Sequence, residues 1–262
     1  MVFGLIQANG ISIKFGNFLY QRLFPFYRFL YPAFKRRQDS VELAWMRRLV
    51  RPGNRVLDIG ANIGFYTSVL SDLVGLEGHV DAFEPEPTNF KHLSAMAGDR
   101  KNVTLVPKAV SDRSGELLIY TSPKLNVDHR AYKVANYEQA IPVEAVSIDD
   151  YVRGRFRVDF IKMDIQGYEL SALRGMEKTI TANPALVIFS EFWPYGFRQS
   201  GACGSVVYDY IRSLDLNMWL PEKAGVRPVS RTIVEQFRES ETVYYNVILS
   251  KQAISNSQQV EV

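Results

Sequence analysis

One short stretch constrains the fold of this chain more than any other: an apolar run that ends in an acid and a glycine-rich turn. Residues 56–59 have the composition of a buried parallel strand, and a second such run, 80–83, ends in Glu84. Between them, residues 65–73 carry apolar side chains at helical spacing. A strand, glycine turn, helix and acid-tipped strand in this order are typical of domains that hold a nucleoside with its ribose hydroxyls on the acid.

The charge of the turn narrows the class of nucleoside. The turn reads Gly-x-Asn-x-Gly rather than Gly-x-Gly-x-x-Gly, and Asp58 stands two residues before its first glycine. A carboxylate there would repel a pyrophosphate at the helix N-terminus, which argues against a nicotinamide dinucleotide. It suits a cofactor with a positively charged amino-acid end, such as S-adenosylmethionine. The structural alternative is that Asp58 only caps the turn and the glycines only let strand and helix approach.

Composition indicates one soluble enzyme. The 262 residues suffice for a single α/β domain with an extension, and the apolar share of 47% is ordinary for a globular protein. The lone Cys203 excludes an intrachain disulfide and a cysteine-only metal cluster, and it fits a reducing compartment. No apolar run reaches membrane-spanning length, and residues 1–10 lack the pattern of a signal peptide. We therefore expect a cytoplasmic protein.

Positive charge is concentrated near the N-terminus. Residues 1–55 hold ten Lys and Arg against Asp39 and Glu42, so the chain's net charge of +3 leaves −5 on the remainder. This basic segment is also rich in aromatic residues, and the pattern favours a pair of helices packed on the domain. The alternatives are peripheral contact with an anionic membrane through residues 11–37, a homodimer contact, or a lid on the pocket. We divide the chain into a basic aromatic extension, a main domain and a polar tail, at 1–40, 41–252 and 253–262.

Strand-like and helical patterns alternate after the first two strands. This alternation predicts an α/β fold with a mostly parallel, doubly wound sheet and helices on both faces. After a third strand at 103–106, two β-rich runs at 116–120 and 141–148 predict an antiparallel excursion. Residues 216–220 and 243–249 predict an antiparallel pair that closes the sheet.

Five motifs in a fixed order resemble the FkbM family of methyltransferases, over about residues 50–195. They read VLDIGANIGFYT from residue 56, AFEPEPTNF from 82, VPKAVSD from 106, DFIKMDIQGYE from 159 and IFSEFWP from 188. Several motifs in order are far more specific than any one alone. The resemblance implies the Rossmann-like, seven-stranded class I methyltransferase fold, S-adenosylmethionine as cofactor, and O-methylation of hydroxyls on a sugar, glycolipid or secondary metabolite.

The resemblance also implies a set of cofactor-binding residues. The methionine end of the cofactor would be lined by Asp58, Gly60, Asn62 and Gly64. Glu84 would hold the ribose hydroxyls, and Ser111 and Asp112 would meet the adenine. For Asp112, an ordinary turn acid is an equally good interpretation.

The active-site end is predicted at the tips of two later strands. Asp164 and Gln166 follow one strand and Glu191 ends the next, in the region where ligands bind in open α/β sheets. Many N-methyltransferases carry an Asn/Asp-Pro-Pro-aromatic motif at this point. This chain has Asp-Ile-Gln-Gly, which favours oxygen as the methyl acceptor. The structural alternatives are a helix cap for Asp164 and an ion pair with arginine for Glu191.

A polar loop adds two candidates. His129 and Arg130 stand in a run, Asp-His-Arg, that FkbM relatives share, and histidine is the usual general base near neutral pH. Methyl transfer requires the acceptor oxygen within about 3 Å of the methyl carbon and a group that takes its proton. We expect His129 or Asp164 to take the proton and Arg130, Gln166 and Glu191 to bind the acceptor. His129 alternatively only orients the loop.

Two further alternatives concern the mechanism and the class of protein. Carboxylates at neighbouring strand ends hold magnesium in catechol-type O-methyltransferases, but a third ligand is not evident here, so we expect no metal. The rival functions are a nucleic-acid methyltransferase, suggested only by the basic first 55 residues, and a non-catalytic module that binds S-adenosylmethionine. The acidic remainder of the chain makes nucleic acid an unfavoured partner.

Overall fold

The computed structural model describes Tyr20 and residues 24–122, 129–133 and 137–254. The predicted polar tail lies outside these residues from position 255 onward, as does most of the first 23 residues. The strands are β1 Arg55–Ile59, β2 His79–Phe83, β3 Val103–Val106, β4 Ala109–Val110, β5 Gly115–Tyr120, β6 Ala140–Val146, β7 Phe160–Met163, β8 Val187–Phe192, β9 Asn217–Glu222, β10 Gly225–Pro228 and β11 Tyr245–Ser250. The helices are α1 Phe24–Gln38, α2 Ser40–Leu49, α3 Phe65–Val74, α4 Pro87–Ala97, α5 Ile148–Val152, α6 Glu169–Arg174, α7 Glu177–Ala182, α8 Pro194–Gln199, α9 Gly204–Ser213 and α10 Arg231–Glu235.

The main sheet has the strand order β10-β9-β11-β8-β7-β1-β2-β3. Strands β3, β2, β1, β7 and β8 run parallel, and β11 lies antiparallel between β8 and β9. The chain progresses outward from β1 in one direction and from β7 in the other. Ligands of open α/β sheets bind outside the carboxyl ends of the strands at such a reversal.

The predicted count of seven strands is wrong, because β10 adds an eighth. It pairs antiparallel with β9 from Gly225 opposite Glu222 to Pro228 opposite Trp219. Its sequence, Gly-Val-Arg-Pro, has no apolar run and ends in a proline, so its pattern gives no strand signal. An edge position tolerates proline, since one side of an edge strand makes no ladder hydrogen bonds.

Strands β4, β5 and β6 form a separate three-stranded sheet in the order β4-β6-β5. Strands β5 and β6 pair antiparallel, and β4 runs parallel to β6. The connection between β5 and β6 is described only in part, since residues 123–128 and 134–136 lie outside the described ranges. Within it, Tyr120 and Arg130 exchange backbone hydrogen bonds, so the described part of the connection continues the small sheet.

Helices cover both faces of the main sheet. Alternate residues of β1 point to opposite faces, so Leu57 packs with α5, α6, α7 and α9, whereas Val56 packs with α2 and α3. Both residues are fully buried. A sheet that is apolar on both faces accounts for the near-continuous hydrophobic runs by which the strands are recognised.

The described part of the basic N-terminal segment forms α1 and α2, which pack against the main domain. Trp45 of α2 is buried, and its indole nitrogen donates to the Glu222 backbone carbonyl. Across the described ranges, no helix has both the length and the apolar character needed to cross a membrane. The boundaries placed at residues 40 and 252 stay predictions.

Candidate functional site

The glycine turn after β1 is held in a left-handed backbone. Gly60, Asn62 and Gly64 have φ angles of 78°, 52° and 89°. A Cβ on Gly60 would lie 2.0 Å from the backbone oxygen of Asp164, and one on Gly64 would lie 2.8 Å from the Leu93 side chain. The close approach of the backbone therefore requires glycine at position 60, and the left-handed φ angle favours it at position 64. Whether they also line the methionine end of the cofactor stays a prediction.

Beneath the turn, Asp58 lies fully buried beside a lysine. Lys162 is its direct neighbour across β1 and β7, with its Nζ 3.6 Å from Asp58 Oδ1. Thr67 donates a hydrogen bond to the other carboxylate oxygen at 2.6 Å, while Oδ1 has no hydrogen-bond partner. Burial raises the pKa of Asp58, and the positive charge of Lys162 opposes that effect. Asp58 therefore supports the site from below.

Lys162 is a site residue that the motifs do not single out. Its Nζ donates to the backbone oxygen of Gly60 at 3.1 Å and lies 3.8 Å from Asp164 Oδ2. It therefore links the glycine turn to the tip of β7. The sequence carries one signal for this residue, a lysine inside an otherwise apolar strand. Because a buried charge needs a nearby counter-charge, such a lysine indicates a carboxylate beside it.

The carboxylate of Glu84 is fixed by the backbone at the tip of β2. The N–H of Asn62 donates to its Oε2 at 2.8 Å, and the N–H of Glu86 donates to its Oε1 at 3.0 Å. Burial raises the pKa of Glu84 to about 7, even though these donors favour the charged form. Each oxygen keeps a second lone pair. Contact of these oxygens with the ribose hydroxyls stays a prediction.

The N-terminal segment packs beside Glu84. Tyr20 is buried, and its hydroxyl donates to the side chain of Asn89 in α4. Phe24 stacks on His92 with ring centroids 3.6 Å apart. The negative charges of Glu84 and Glu86 add to burial in raising the pKa of Tyr20. The segment therefore contributes to the wall of the predicted ribose site.

At the tips of β7 and β8, three predicted residues come together in what we call the strand-tip cluster: Asp164, Gln166 and Glu191. The side-chain amide of Gln166 donates to Asp164 Oδ1 at 2.9 Å and to Glu191 Oε2 at 3.4 Å. Gln166 has a left-handed backbone, with φ of 57°. This conformation costs about 1 kcal/mol for a non-glycine residue, so the surrounding contacts must hold it.

A buried acid behind the cluster holds that loop. Glu169 Oε1 accepts from the backbone N–H groups of Ile165 and Gly167, at 3.1 and 3.3 Å. Burial raises the pKa of Glu169 to about 7, and its Oε2 has no hydrogen-bond partner. The sequence identifies Glu169 only as part of a motif. The geometry shows a residue that supports the loop on which Gln166 lies.

Tyr31 of α1 packs edge-on against Phe65 at the start of α3, directly after the glycine turn. Burial raises the pKa of Tyr31, and the negative charges of Asp39 and Asp164 add to that effect. Hence α1 lies beside the glycine turn as well as on the ribose side.

The described part of the polar loop reaches the same end of the sheet. Arg130 is buried, with its guanidinium 5.0 Å from the centroid of the Trp193 ring. The Tyr132 hydroxyl donates to the backbone oxygen of Gln166 at 2.9 Å. His129 accepts a long hydrogen bond of 3.4 Å at Nδ1 from the Ser122 backbone N–H. These contacts bring Arg130 and Tyr132 close to the strand-tip cluster.

Ser111 and Asp112 lie beside the loop that follows β7. The Ser111 hydroxyl is 3.0 Å from Asp112 Oδ1 and 3.2 Å from the Tyr168 hydroxyl. A Cβ on Gly175 would meet the Ser111 backbone at 2.0 Å, so this segment packs tightly. Contact of either residue with an adenine ring stays a prediction.

Within the described ranges, no three His, Cys, Asp or Glu side chains lie close enough together to bind a metal ion. The predicted independence from a divalent ion needs a direct test with chelator.

Comparison with the solved structures finds relatives with weak overall similarity. A precorrin-6y C5,15-methyltransferase from Geobacter metallireducens is 11% identical with a TM-score of 0.48, over 82% of this chain and 89% of that one. A SAM-dependent O-methyltransferase from Thermotoga maritima is 14% identical with a TM-score of 0.44, over 82% of this chain and 66% of that one. An Aeropyrum pernix fibrillarin with natively bound S-adenosyl-L-methionine is 13% identical with a TM-score of 0.45, over 77% of this chain and 68% of that one. At these values, nothing about substrate or mechanism transfers to this chain.

A domain match identifies the family. Comparison with the curated proteins finds no match. The methyltransferase FkbM domain, however, matches residues 58–227, about two thirds of the chain. The matched range includes the glycine turn, Glu84 and the strand-tip cluster. The chain therefore belongs to the FkbM family of methyltransferases, whose methyl donor is S-adenosylmethionine.

Proposed function

We propose that this methyltransferase acts on a hydroxyl of a neutral, polyhydroxylated acceptor: a sugar, a glycolipid or a secondary metabolite. The observation that carries the proposal is the strand-tip cluster, in which one amide bridges the carboxylates of Asp164 and Glu191. Carboxylates accept hydrogen bonds from hydroxyls, and two of them on neighbouring strands match an acceptor with several hydroxyls.

The residues present fit the cofactor. Glu84 has two backbone donors fixing its carboxylate and free lone pairs for the ribose hydroxyls. When bound, S-adenosylmethionine supplies a methyl group activated by a positively charged sulfur. Near the turn, the two carboxylates of Asp58 and Asp164 outnumber the ammonium of Lys162 that lies within 4 Å of both, which favours a cationic group over a pyrophosphate.

Asp164 takes the proton of the acceptor hydroxyl in this proposal. Gln166 donates to its Oδ1, which leaves Oδ2 for the acceptor, 3.8 Å from Lys162 Nζ. The carboxylate is about 38% exposed, so an acceptor can reach it.

His129 is the weaker candidate for the base. Its Nδ1 faces the backbone N–H of Ser122 at 3.4 Å, so the ring contacts its own loop, whereas Asp164 belongs to the strand-tip cluster. We therefore propose that His129 orients the loop, and that Arg130 and Glu191 bind the acceptor.

The acidity of the strand-tip cluster disfavours a nucleic-acid acceptor. Two carboxylates near the reacting hydroxyl would repel phosphates, whereas nucleic-acid sites are lined by Lys and Arg. Binding without turnover is the other alternative. Asp164 is exposed and is bridged to Glu191, so it can serve as a proton acceptor, which a module that only binds the cofactor does not need.

Cofactor affinity should rise with pH. Because the pKa of Glu84 is about 7, its carboxyl is protonated at pH 6, and the ribose hydroxyls bind best to the ionised form. We expect the affinity for S-adenosylhomocysteine to increase about tenfold per pH unit below pH 7 and to level off above it. Calorimetric titrations between pH 6 and pH 8 measure this.

Two variants assign the pH effect to one group. Glu84→Gln should bind weakly with no pH dependence, whereas Glu169→Gln should keep the wild-type profile, although Glu169 has a similar pKa. Equal affinities of the wild-type protein at pH 6 and pH 8 would contradict the assignment of a ribose contact to Glu84.

An acceptor panel tests the proposed function. Purified protein is incubated with S-adenosylmethionine and either sugars, glycolipids, polyketides, amines or RNA, and S-adenosylhomocysteine formation is measured. We expect turnover with hydroxylated neutral acceptors that is unchanged by EDTA. Turnover only with amines or RNA would refute the acceptor class, and loss of activity in EDTA would refute the metal-free reaction.

A further inference from the structure

Helix α1 carries large apolar side chains on the side that faces away from the protein. This outer face comprises Phe26, Phe29, Leu30 and Phe34, which are 66%, 71%, 61% and 54% exposed. Their spacing of three, four and eight residues places them on one side of the helix. Exposed apolar residues scattered singly need no explanation, but four together on one helix face indicate an interaction surface.

The opposite side of α1 fixes how this face points. Phe24 stacks on His92, and Tyr31 packs against Phe65. These contacts tie the inner side of the helix to α3 and α4. The outer face is thus held away from the domain on a helix that is apolar on two sides.

The charges of α1 indicate what covers the outer face. The helix has four basic residues and no acidic one, and three of the basic side chains, Arg28, Arg36 and Arg37, are exposed. A symmetric dimer through this face would bring two such helices together, with like charges repelling. Anionic lipid head groups would attract the same residues, while the phenylalanines enter the acyl boundary.

We propose that α1 docks this enzyme on an anionic lipid bilayer through its outer face. Its 15 residues span about 22 Å, too short for a hydrocarbon core of about 30 Å, so the helix lies in the interface and does not cross it. Tyr31 of α1 packs against Phe65, which directly follows the glycine turn. Resting on the proposed function, the docking favours a glycolipid acceptor whose hydroxyls stand above the bilayer surface by about one helix diameter, roughly 10 Å.

Vesicle co-sedimentation of the full chain tests the docking. The vesicles are phosphatidylcholine alone or phosphatidylcholine with phosphatidylglycerol. We expect binding to the anionic vesicles that weakens with salt, and binding about 100-fold weaker for Phe29→Ser/Phe34→Ser. Leu76→Ser is the matched control, since Leu76 is 90% exposed on a turn outside α1 and should change nothing.

Two results of the vesicle assay would overturn the proposal: no binding to anionic vesicles, or binding that Phe29→Ser/Phe34→Ser leaves intact. A dimer in sedimentation velocity that this double variant abolishes, without vesicle binding, would assign the face to a second copy and also overturn it. Binding of S-adenosylhomocysteine, measured without lipid, confirms that each variant is folded and tests the methyltransferase assignment separately.

Discussion

Replacing Asp164 with asparagine should lower kcat by about 100- to 1,000-fold while leaving cofactor affinity within about twofold of wild type. The carboxylate is the proposed proton acceptor, and asparagine preserves its size and one acceptor oxygen but cannot take a proton. Because Gln166 donates to the Oδ1 position, the loop geometry should survive the change. Steady-state rates with an acceptor from the panel, together with calorimetric titration of S-adenosylhomocysteine, measure the two effects.

The matched variant for this test is His129→Asn. Since the Nδ1 of His129 already accepts a hydrogen bond, we expect a kcat loss below about tenfold, and asparagine can keep the acceptor role. If His129→Asn instead lost activity by three orders of magnitude and Asp164→Asn retained it, the assignment of the base would be wrong.

Replacing Glu84 with alanine should abolish measurable cofactor binding. Two charge-assisted hydrogen bonds to the ribose would be lost, each worth about 1.5–3 kcal/mol, so the Kd should rise by more than about 100-fold. The N–H groups of Asn62 and Glu86 would also lose their acceptor, which loosens the glycine turn. Equilibrium dialysis with labelled S-adenosylmethionine measures the affinity.

A neighbouring acid provides the control for this variant. Glu86 caps α4, accepting from the Asn89 N–H at 2.7 Å. Glu86→Ala should cost about 1 kcal/mol of stability, as the loss of an N-cap does, with a much smaller effect on affinity. Equal losses of affinity in Glu84→Ala and Glu86→Ala would indicate a general disturbance of the region and no specific ribose contact.

The strands and turns nearest the site could be predicted because local pattern determines them. The apolar runs at 56–59 and 80–83 match β1 and β2 to within one residue, and the glycine turn follows where the pattern puts it. The proximity of Asp164 and Glu191 followed from the rule that neighbouring parallel strands end at one edge. These inferences require only residue spacing and strand adjacency.

Features that depend on contacts between distant parts of the chain could not be predicted from local sequence pattern. Lys162 matters because register places it beside Asp58, a pairing that no local pattern shows. The eighth strand, β10, is stabilised by its pairing with β9 despite an unfavourable sequence. The position of α1 beside α4 and the glycine turn depends on aromatic contacts with α3 and α4, residues distant in sequence.

The glycine turn and Glu84 should bind S-adenosylmethionine and reject a dinucleotide. Calorimetric titration of the wild-type protein with S-adenosylhomocysteine, in parallel with NAD, measures this preference. We expect a Kd in the micromolar range for the thioether, about −8 kcal/mol, and no heat of binding for NAD. Binding of NAD without binding of S-adenosylhomocysteine would show that the site holds a dinucleotide instead.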